Sequence, residues 1–258
     1  MLKPDIKKII SEAKALNLST EKLSFLHNKF QGQTCYVLGC GPSLRSVNKE
    51  KLISEVQDNC LFTIKQSFFS FQEYVDFHFF NTNNFINYPE KEGVFYWGST
   101  DGNSIELARQ NFWGQQQVDA SSSVSFETPL TRKQYSDGFD LENYTINNNF
   151  PNRNWGAGIM FEIVLFFIHH LGFSEIKVAG WDYADPNREG KFVPEHFYNE
   201  EHRLRTLNPC SPAYPGEMLD SINLANKFNA FFKSNGIELK VHKSDKCFLT
   251  NEIERYVL

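Results

Sequence analysis

The chain has 258 residues with 26 Lys or Arg and 31 Asp or Glu, which gives a net charge of −5. This acidic balance argues against a protein that binds nucleic acid or an anionic membrane through bulk electrostatics. The five cysteines are widely spaced and lack a Cys-x-x-Cys pair, which argues against a disulfide framework and against a zinc site. The first residues, MLKPDIKK, lack the apolar core of a signal peptide, and the apolar run at 159–171 contains Glu162 and is too short to span a bilayer. We expect a cytoplasmic protein, with peripheral association at the inner face of the membrane left open.

Two amphipathic helices are predicted at the N-terminus. Apolar residues recur at helical spacing over residues 4–18, and Ser19 or Thr20 can cap a second helix with its own apolar stripe. We assign residues 1–31 to a helical extension and residues 32–258 to the main domain. The extension either packs on that domain or mediates self-association into a homo-oligomer, and the sequence does not choose between the two.

The main domain opens with a buried strand that ends in a glycine-rich turn, TCYVLGCGPSL, at residues 34–44. Gly39 and Gly41 let the backbone approach a ligand closely, and Ser43 can begin a helix whose entry Pro42 stiffens. Such a turn offers backbone N–H groups and a positive helix end to an anion. A tight strand-to-helix connection without a ligand explains a Gly-x-Gly turn equally well. The motif alone therefore does not distinguish a ligand-binding turn from a structural one.

Further strands, helices and one long loop are predicted beyond the turn. The strands are predicted at 61–64, 76–80, 94–97, 175–179 and 237–241, with a weaker one around 118–126. Helices are predicted at about 43–56, at about 104–111, from 156 to 172 as a buried helix, and before the last strand. The irregular segment at about 184–216 is typical of a lid. This order predicts an α/β fold: a Rossmann-like, mostly parallel sheet with helices on both faces and ligand contacts at its carboxyl edge.

The order of these motifs resembles that of the CMP-sialic acid-dependent sialyltransferases of bacterial lipooligosaccharide synthesis, a Rossmann-like, metal-independent glycosyltransferase family. The resemblance extends over about residues 34–249. It rests on GCGPSL at the first turn, Gln66 and Asn81 after the next strands, the GAG turn at 156–158, and GWDY at 180–183. The family has Asn where this chain has Cys40, and Ser where it has Ala157. The resemblance implies that the nucleotide-binding residues include Gly39, Cys40, Gly41, Pro42, Ser43, Gln66, Asn81, Ala157, Gly158 and Gly180.

Two resemblances point to different catalytic bases. The sialyltransferases carry their catalytic His in a Tyr-x-Gly-His run, where this chain has Tyr214-Pro215-Gly216-Glu217. The same Gly-x-Gly-Pro-Ser-Leu opening and a late Gly-x-Asp also resemble a group that includes hydroxymethylpterin diphosphokinases. A His recurs in that group after Gly-x-Asp, and His196 is its counterpart here. The base is therefore either His196 or Glu217.

Other side chains have the chemistry that sugar transfer from a nucleotide requires. Lys65 can neutralise phosphate charge, although a solvated surface residue explains it as well. The hydroxyls of Tyr183, Tyr198 and Tyr214 can donate to the leaving phosphate, although each ring can equally serve packing alone. Asp182, at a strand end, can bind ribose or orient the base.

Histidine titrates near neutral pH, which suits His196 to the role of base. A loop histidine satisfied by neighbouring carboxylates explains it equally well, since Glu195, Glu200 and Glu201 are close in sequence. Glu217 is explained more readily as an acidic residue in the first turn of a helix. The sequence thus leaves the assignment of the base open.

The sequence therefore predicts a glycosyltransferase that uses a nucleotide-activated, CMP-linked sugar and a saccharide acceptor of the cell surface. No Asp-x-Asp run is present, and we expect no metal and no cofactor beyond the sugar nucleotide. Two alternatives stay open: a diphosphokinase-like enzyme that uses ATP and Mg²⁺, and a non-catalytic nucleotide-binding module of envelope biosynthesis.

Overall fold

The computed structural model describes residues 5–17, 19–81, 88–89, 91–101, 124–129, 140–146, 153–155, 158–183, 189–190, 196–197, 215–245 and 252–258. The strands of this part of the chain are β1 (Thr34–Leu38), β2 (Cys60–Ile64), β3 (Phe77–Asn81), β4 (Phe95–Asp101), β5 (Val124–Pro129), β6 (Arg153–Trp155), β7 (Glu175–Ala179), β8 (Glu238–His242) and β9 (Glu254–Tyr256). Its α-helices are α1 (Ile6–Ala15), α2 (Ser19–Leu26), α3 (Lys49–Asp58), α4 (Ser67–Phe71), α5 (Leu165–Leu171) and α6 (Pro215–Ser234). Short 3₁₀ turns cover Pro42–Ser46 and Leu141–Tyr144, and Met160–Val164 is π-helical.

The strands form one sheet in the order β6-β5-β4-β3-β2-β1-β7-β8-β9, and every neighbouring pair is parallel. The chain winds outward from β1 to β6, returns to the centre for β7, and then winds outward in the opposite direction. The reversal between β1 and β7 is a topological switch point, because α3 after β1 and α6 after β7 pack on opposite faces of the sheet. The predicted α/β fold with a Rossmann-like parallel sheet is confirmed.

Helices cover both faces of the sheet, as predicted. Alternate residues of β1 point to opposite faces, so Cys35 and Val37 belong to the larger apolar core while Tyr36 and Leu38 belong to the smaller one. The larger core contains residues of α1, α2, the π-helical segment, α5 and α6, and the smaller core contains residues of α3 and α4.

The N-terminal helical pair packs on the main domain. Ile6 and Ile10 of α1 are buried in the larger core, and Leu26 of α2 is buried with them. The main-chain oxygen of Leu23 lies 2.7 Å from Nε2 of His170 in α5, and the N–H of Asn28 donates to the carbonyl of His170 at 3.0 Å. The first of the two arrangements left open by the sequence is the one observed, and residues 6–26 share their core with the sheet.

Neighbouring central strands place rings in register on both faces of the sheet. On the larger core, Phe62 of β2 pairs with Phe77 of β3, and their rings stack at 4.5 Å between centroids. On the other face, His78 stands between Thr63 of β2 and Tyr96 of β4. His78 is fully buried, its Nδ1 lies 3.0 Å from the Thr63 hydroxyl, and burial lowers its pKa to about 3. The imidazole is therefore neutral in the folded protein at physiological pH.

Two predicted helices differ from those observed. The predicted helix at 43–56 is wrong as one continuous element, because the chain forms a 3₁₀ turn at Pro42–Ser46 and starts again at α3. Asn48 causes the new start, since its side chain accepts the N–H of Lys51 at 2.9 Å as an N-cap. The predicted buried helix begins as the π-helical segment and continues as α5, which ends at Gly172 with a φ of +86°.

Most predicted strands are confirmed, with β7 at the predicted bounds. The weak strand around 118–126 is observed three residues or more further on, as Val124–Pro129. The short strands β6 and β9 were not predicted. The predicted helix at 104–111 lies outside the described residues, and so does most of the predicted lid.

Candidate functional site

The loops that follow β1 and β7 interlock at the switch point. The N–H of Gly39 donates to the carbonyl of Ala179 at 2.8 Å, and the N–H of Gly41 donates to that of Gly180 at 2.7 Å. A Cβ at position 39 would lie 2.3 Å from the Gly180 oxygen, and Gly180 itself has a φ of +71°. Only glycine fits these positions without displacing the neighbouring backbone, because no other residue leaves that space empty.

A side-chain pair completes this contact. The carboxylate oxygen Oδ2 of Asp182 accepts the N–H of Ser43 at 2.6 Å, and the Ser43 hydroxyl oxygen accepts the N–H of Gly180 at 3.1 Å. A Cβ at Gly41 would lie 2.3 Å from the same carboxylate oxygen. Asp182 therefore fixes the start of the 3₁₀ turn and ties it to the loop after β7.

The hydrogen bonds of the turn alter its predicted role as a phosphate cradle. We expected its N–H groups to face a ligand, but those of Gly39, Gly41 and Ser43 all donate within the protein. The anion next to the turn is the protein's own carboxylate, that of Asp182. In this conformation these three donors are engaged and do not bind an external phosphate.

The loop after β2 contacts the same turn through Cys40. The Cys40 thiol donates to the carbonyl of Ile64 at 3.1 Å and lies 3.6 Å from the side-chain oxygen of Gln66. Gln66 is buried, so two of the predicted nucleotide-binding residues are brought together beneath the crevice. Ser67, which the sequence did not single out, joins the two strand ends, because its hydroxyl donates to the carbonyl of Leu38 at 2.7 Å.

Lys65 has an unusual backbone conformation at this edge. Its φ is +53°, in the left-handed region, and its N–H donates to the carbonyl of Phe79 in β3 at 2.8 Å. A residue with a side chain in this region costs roughly 1–2 kcal/mol relative to a right-handed conformation, unless the surroundings compensate. The sequence predicted the position of Lys65 at a strand end but not this conformation.

On the larger-core side, the edge carries Gly158, Glu162 and the aromatic pair of Trp181 and Tyr183. The N–H of Gly158, whose φ is +98°, donates to the Glu162 carboxylate at 2.6 Å. The indole N–H of Trp181 donates to the Tyr183 hydroxyl oxygen at 3.0 Å, and the Trp181 ring packs against Phe161. Glu162 is buried within the π-helical segment, and the sequence had marked it only as an interruption of an apolar run.

Residues 196 and 197 of the predicted lid lie on the glycine-rich turn. The N–H of Phe197 donates to the carbonyl of Cys40 at 3.0 Å. The Arg45 guanidinium donates to the carbonyls of His196 at 2.6 Å and Phe197 at 3.0 Å. His196 is half-buried beside the turn, and it is held there through its backbone. Arg45 was not recognised from the sequence, since nothing there pairs it with a segment 151 residues away.

The remaining predicted residues lie partly or wholly outside what the structure describes. Ala157, Tyr198 and Tyr214 fall outside the described residues. For Asn81 and Glu217 the backbone alone is described: Asn81 ends β3, and Glu217 is the third residue of α6. The choice between His196 and Glu217 as base stays a prediction.

Within the described part of the chain, no group of three or more His, Cys, Asp or Glu side chains is arranged to hold a metal ion. No helix within the described ranges has both the length and the apolar character needed to cross a membrane.

The fold and the crevice define a doubly wound, Rossmann-like α/β protein with a switch point between β1 and β7. No protein-family model matches the chain, and no curated protein matches it either. What the crevice binds has to be argued from its own residues.

Proposed function

We propose that the chain is a glycosyltransferase that uses a CMP-linked sugar donor and needs no metal ion. Its acceptor is a glycan of the cell surface, and the transfer takes place in the cytoplasm, at the inner face of the membrane. The observation that carries the proposal is the switch point between β1 and β7, where the loops at residues 39–43 and 180–183 meet at the carboxyl edge of the sheet. In open α/β sheets, ligands bind outside the carboxyl ends of the strands at such a point. The motif resemblance supplies the identity of the donor.

The hydrogen bonding of the turn favours a donor with one phosphate. Three N–H groups of the turn already donate within the protein, so few remain for a polyphosphate. A CMP-linked sugar carries a single phosphodiester, whereas ATP with Mg²⁺ requires a cradle for three phosphate groups. This difference makes the diphosphokinase alternative the weaker of the two.

Lys65, Gln66 and Cys40 are the proposed contacts on the β2 side of the crevice. Lys65 brings a positive charge to the edge of the sheet, where it can offset the charge of the phosphodiester. Cys40 and Gln66 are already in contact with each other, and either can reorient toward a base or a ribose. Asp182 acts as a positioning residue through Ser43.

His196 is the base we favour for the acceptor hydroxyl. Arg45 holds residue 196 beside the turn through the carbonyl oxygen, so the imidazole is not needed for that contact. Replacing the imidazole therefore removes the proposed base without removing the anchor. Glu217 is the competing base, as the third residue of α6.

Nucleotide binding is tested by thermal unfolding with CMP, UMP, AMP and ATP, each with EDTA or with Mg²⁺. CMP at one hundred times its Kd stabilises by about 2.7 kcal/mol, which raises the Tm of a domain of this size by roughly 5 to 10 °C. We expect that shift with CMP in EDTA. If ATP with Mg²⁺ raises the Tm and CMP does not, the result identifies the diphosphokinase-like alternative instead.

The base is tested by the rate of CMP release from a CMP-linked sugar. His196→Ala should lower that rate by about 10² to 10⁴, the usual contribution of a general base, while the CMP-induced shift in Tm is kept. Glu217→Ala is the matched control and should release CMP at nearly the parental rate. The reverse pattern assigns the base to Glu217, and binding without an effect of either change supports the non-catalytic module.

A further inference from the structure

A cavity opens at the carboxyl edge of the sheet, next to the glycine-rich turn. Its volume is about 560 Å³, within the range of small-molecule sites. Arg45 and Ser46 line it from the 3₁₀ turn, and residues 243–245 line it from the loop after β8. We call it the Arg45–Lys243 pocket. No residue of the proposed donor site other than Pro42 lines it.

Buried hydrogen bonds fix the walls of this pocket. His242 is buried, and its Nδ1 accepts the N–H of Leu258 at 3.3 Å. Its Nε2 lies 3.2 Å from the Ser46 hydroxyl, which itself donates to the carbonyl of Ser43 at 2.7 Å. Because Nδ1 is an acceptor, the neutral ring carries its hydrogen on Nε2 and donates to Ser46. One imidazole thus links the turn, β8 and the C-terminal residues.

Further contacts hold the chain that follows β8 and β9. The N–H of Lys243 donates to the carbonyl of Tyr256 at 2.8 Å, and the Lys51 ammonium donates to the carbonyl of Val257 at 2.9 Å. The pocket is therefore formed before a ligand arrives, which reduces the entropy lost on binding.

The charged groups of the pocket indicate its ligand. The guanidinium of Arg45 is oriented by its bonds to the carbonyls of residues 196 and 197, and Lys243 lines the same cavity. Two cations and one carboxylate, that of Asp245, leave a charge of +1. Arg and Lys bind the oxygens of phosphate and carboxylate groups, whereas a carboxylate accepts hydrogen bonds from hydroxyls.

We infer that the Arg45–Lys243 pocket binds an anionic saccharide, with the phosphate or carboxylate of the sugar on Arg45 and Lys243 and a sugar hydroxyl on Asp245. The role of this saccharide as the acceptor rests on the proposed function. The binding itself is independent of any donor.

Calorimetric titration of the whole chain with glucose 6-phosphate, glucuronate and glucose tests the inference. We expect at least one of the two anionic sugars to bind, at least tenfold more tightly than glucose, since a charge-assisted hydrogen bond contributes about 1.5–3 kcal/mol, or more than a factor of ten. Preference for glucose 6-phosphate identifies a phosphate ligand, and preference for glucuronate identifies a carboxylate ligand. Equal binding of glucose, or no binding of any of the three, overturns the inference.

Two substitutions of opposite charge provide matched controls. Lys243→Gln should weaken binding of the preferred anionic sugar about tenfold. Asp245→Asn should change it less than about threefold, because loss of the charged acceptor of the sugar hydroxyl and removal of a repulsive charge offset each other. An unchanged affinity in Lys243→Gln, or an equal loss in both variants, contradicts the inference. CMP binding is measured in the same samples. If CMP binds and no anionic sugar does, the inference about this pocket is refuted. If an anionic sugar binds and CMP does not, the proposed donor is refuted.

Discussion

Acidification should destabilise the protein through His78, the histidine at the centre of the sheet. Its side chain has no exposed surface, and it packs against the rings of Phe68 and Tyr88 at 4.6 and 4.3 Å. Burial lowers its pKa from 6.5 to about 3. The unfolded chain therefore binds a proton at this histidine at a higher pH than the folded chain does. The contribution of neutral His78 to the free energy of unfolding is fully present above about pH 6.5, and it is lost as the pH falls from there toward 3.

The magnitude follows from the two pKa values. Between pH 7.5 and 4.5, protonation of His78 stabilises the unfolded state by roughly 2–3 kcal/mol relative to the folded state, because almost two pH units below the unfolded pKa count at 1.36 kcal/mol each. His169 and His242 have lowered pKa values as well, in each case chiefly through burial, so they add to the same trend. The contribution of His78 has to be isolated by substitution.

Urea unfolding at pH 7.5 and 4.5 measures this contribution, with His78→Asn as the comparison. The asparagine amide, which lies on Cγ as Nδ1 does, can still donate to the carbonyl of Thr63 that His78 Nδ1 reaches at 3.2 Å, but it does not titrate. The free energy of unfolding of the parent protein should fall by roughly 2–3 kcal/mol more than that of the variant. An equal fall in the two proteins would refute the reasoning, because it would show that His78 titrates alike in both states.

Four further substitutions test the carboxyl edge of the sheet and its surroundings. Gly39→Ala should cost at least about 2–3 kcal/mol of stability, because its Cβ would meet the Gly180 oxygen at 2.3 Å, and a urea titration that shows less than 1 kcal/mol contradicts the interlocked loops. Lys65→Gly should raise Tm, because its φ is +53°, and should weaken CMP binding. Asn28→Gly, with a φ of +56° at the opposite end of the sheet, should leave CMP binding unchanged. Asn48→Ala should lower stability by about 1 kcal/mol through loss of the α3 cap, while CMP binding is retained in calorimetry.

The strands near the middle of the sheet were predictable because most of their residues are apolar and buried. Every residue of β2 is buried, so this strand appears in the sequence as a short apolar run bounded by polar residues. In β7 the buried positions are Ile176, Val178 and Ala179, so this strand begins with alternating polar and apolar residues. The edge strands β6 and β9 have three residues each and are rich in Arg, Asn and Glu. Such strands owe their conformation to the neighbour they pair with, so no local pattern marks them.

The contacts of the candidate site were less predictable than its residues. The sequence identified Gly39, Ser43 and Asp182 because their types suit strand ends beside a ligand. It did not predict that Asp182 binds Ser43, since the pair is separated by 139 residues and meets only when β7 is inserted beside β1. The helix after the turn was misjudged for a local reason: Ser43 and Asn48 are both suitable caps, and Asn48 is the one that starts α3.

The bond from Ser43 to Asp182 means that any anion arriving at the turn meets a competitor tethered to the same chain. A tethered group acts at an effective concentration that is about millimolar or higher. An external phosphate therefore binds to the Ser43 N–H only if it displaces the Asp182 carboxylate. Displacing the carboxylate also breaks one of the two side-chain bonds between the loops after β1 and β7. The loop after β7 leads directly in sequence to the predicted lid. Occupation of the turn by a ligand and the conformation of the loop at residues 180–183 are therefore thermodynamically linked, and Asp182 is the residue through which each affects the other.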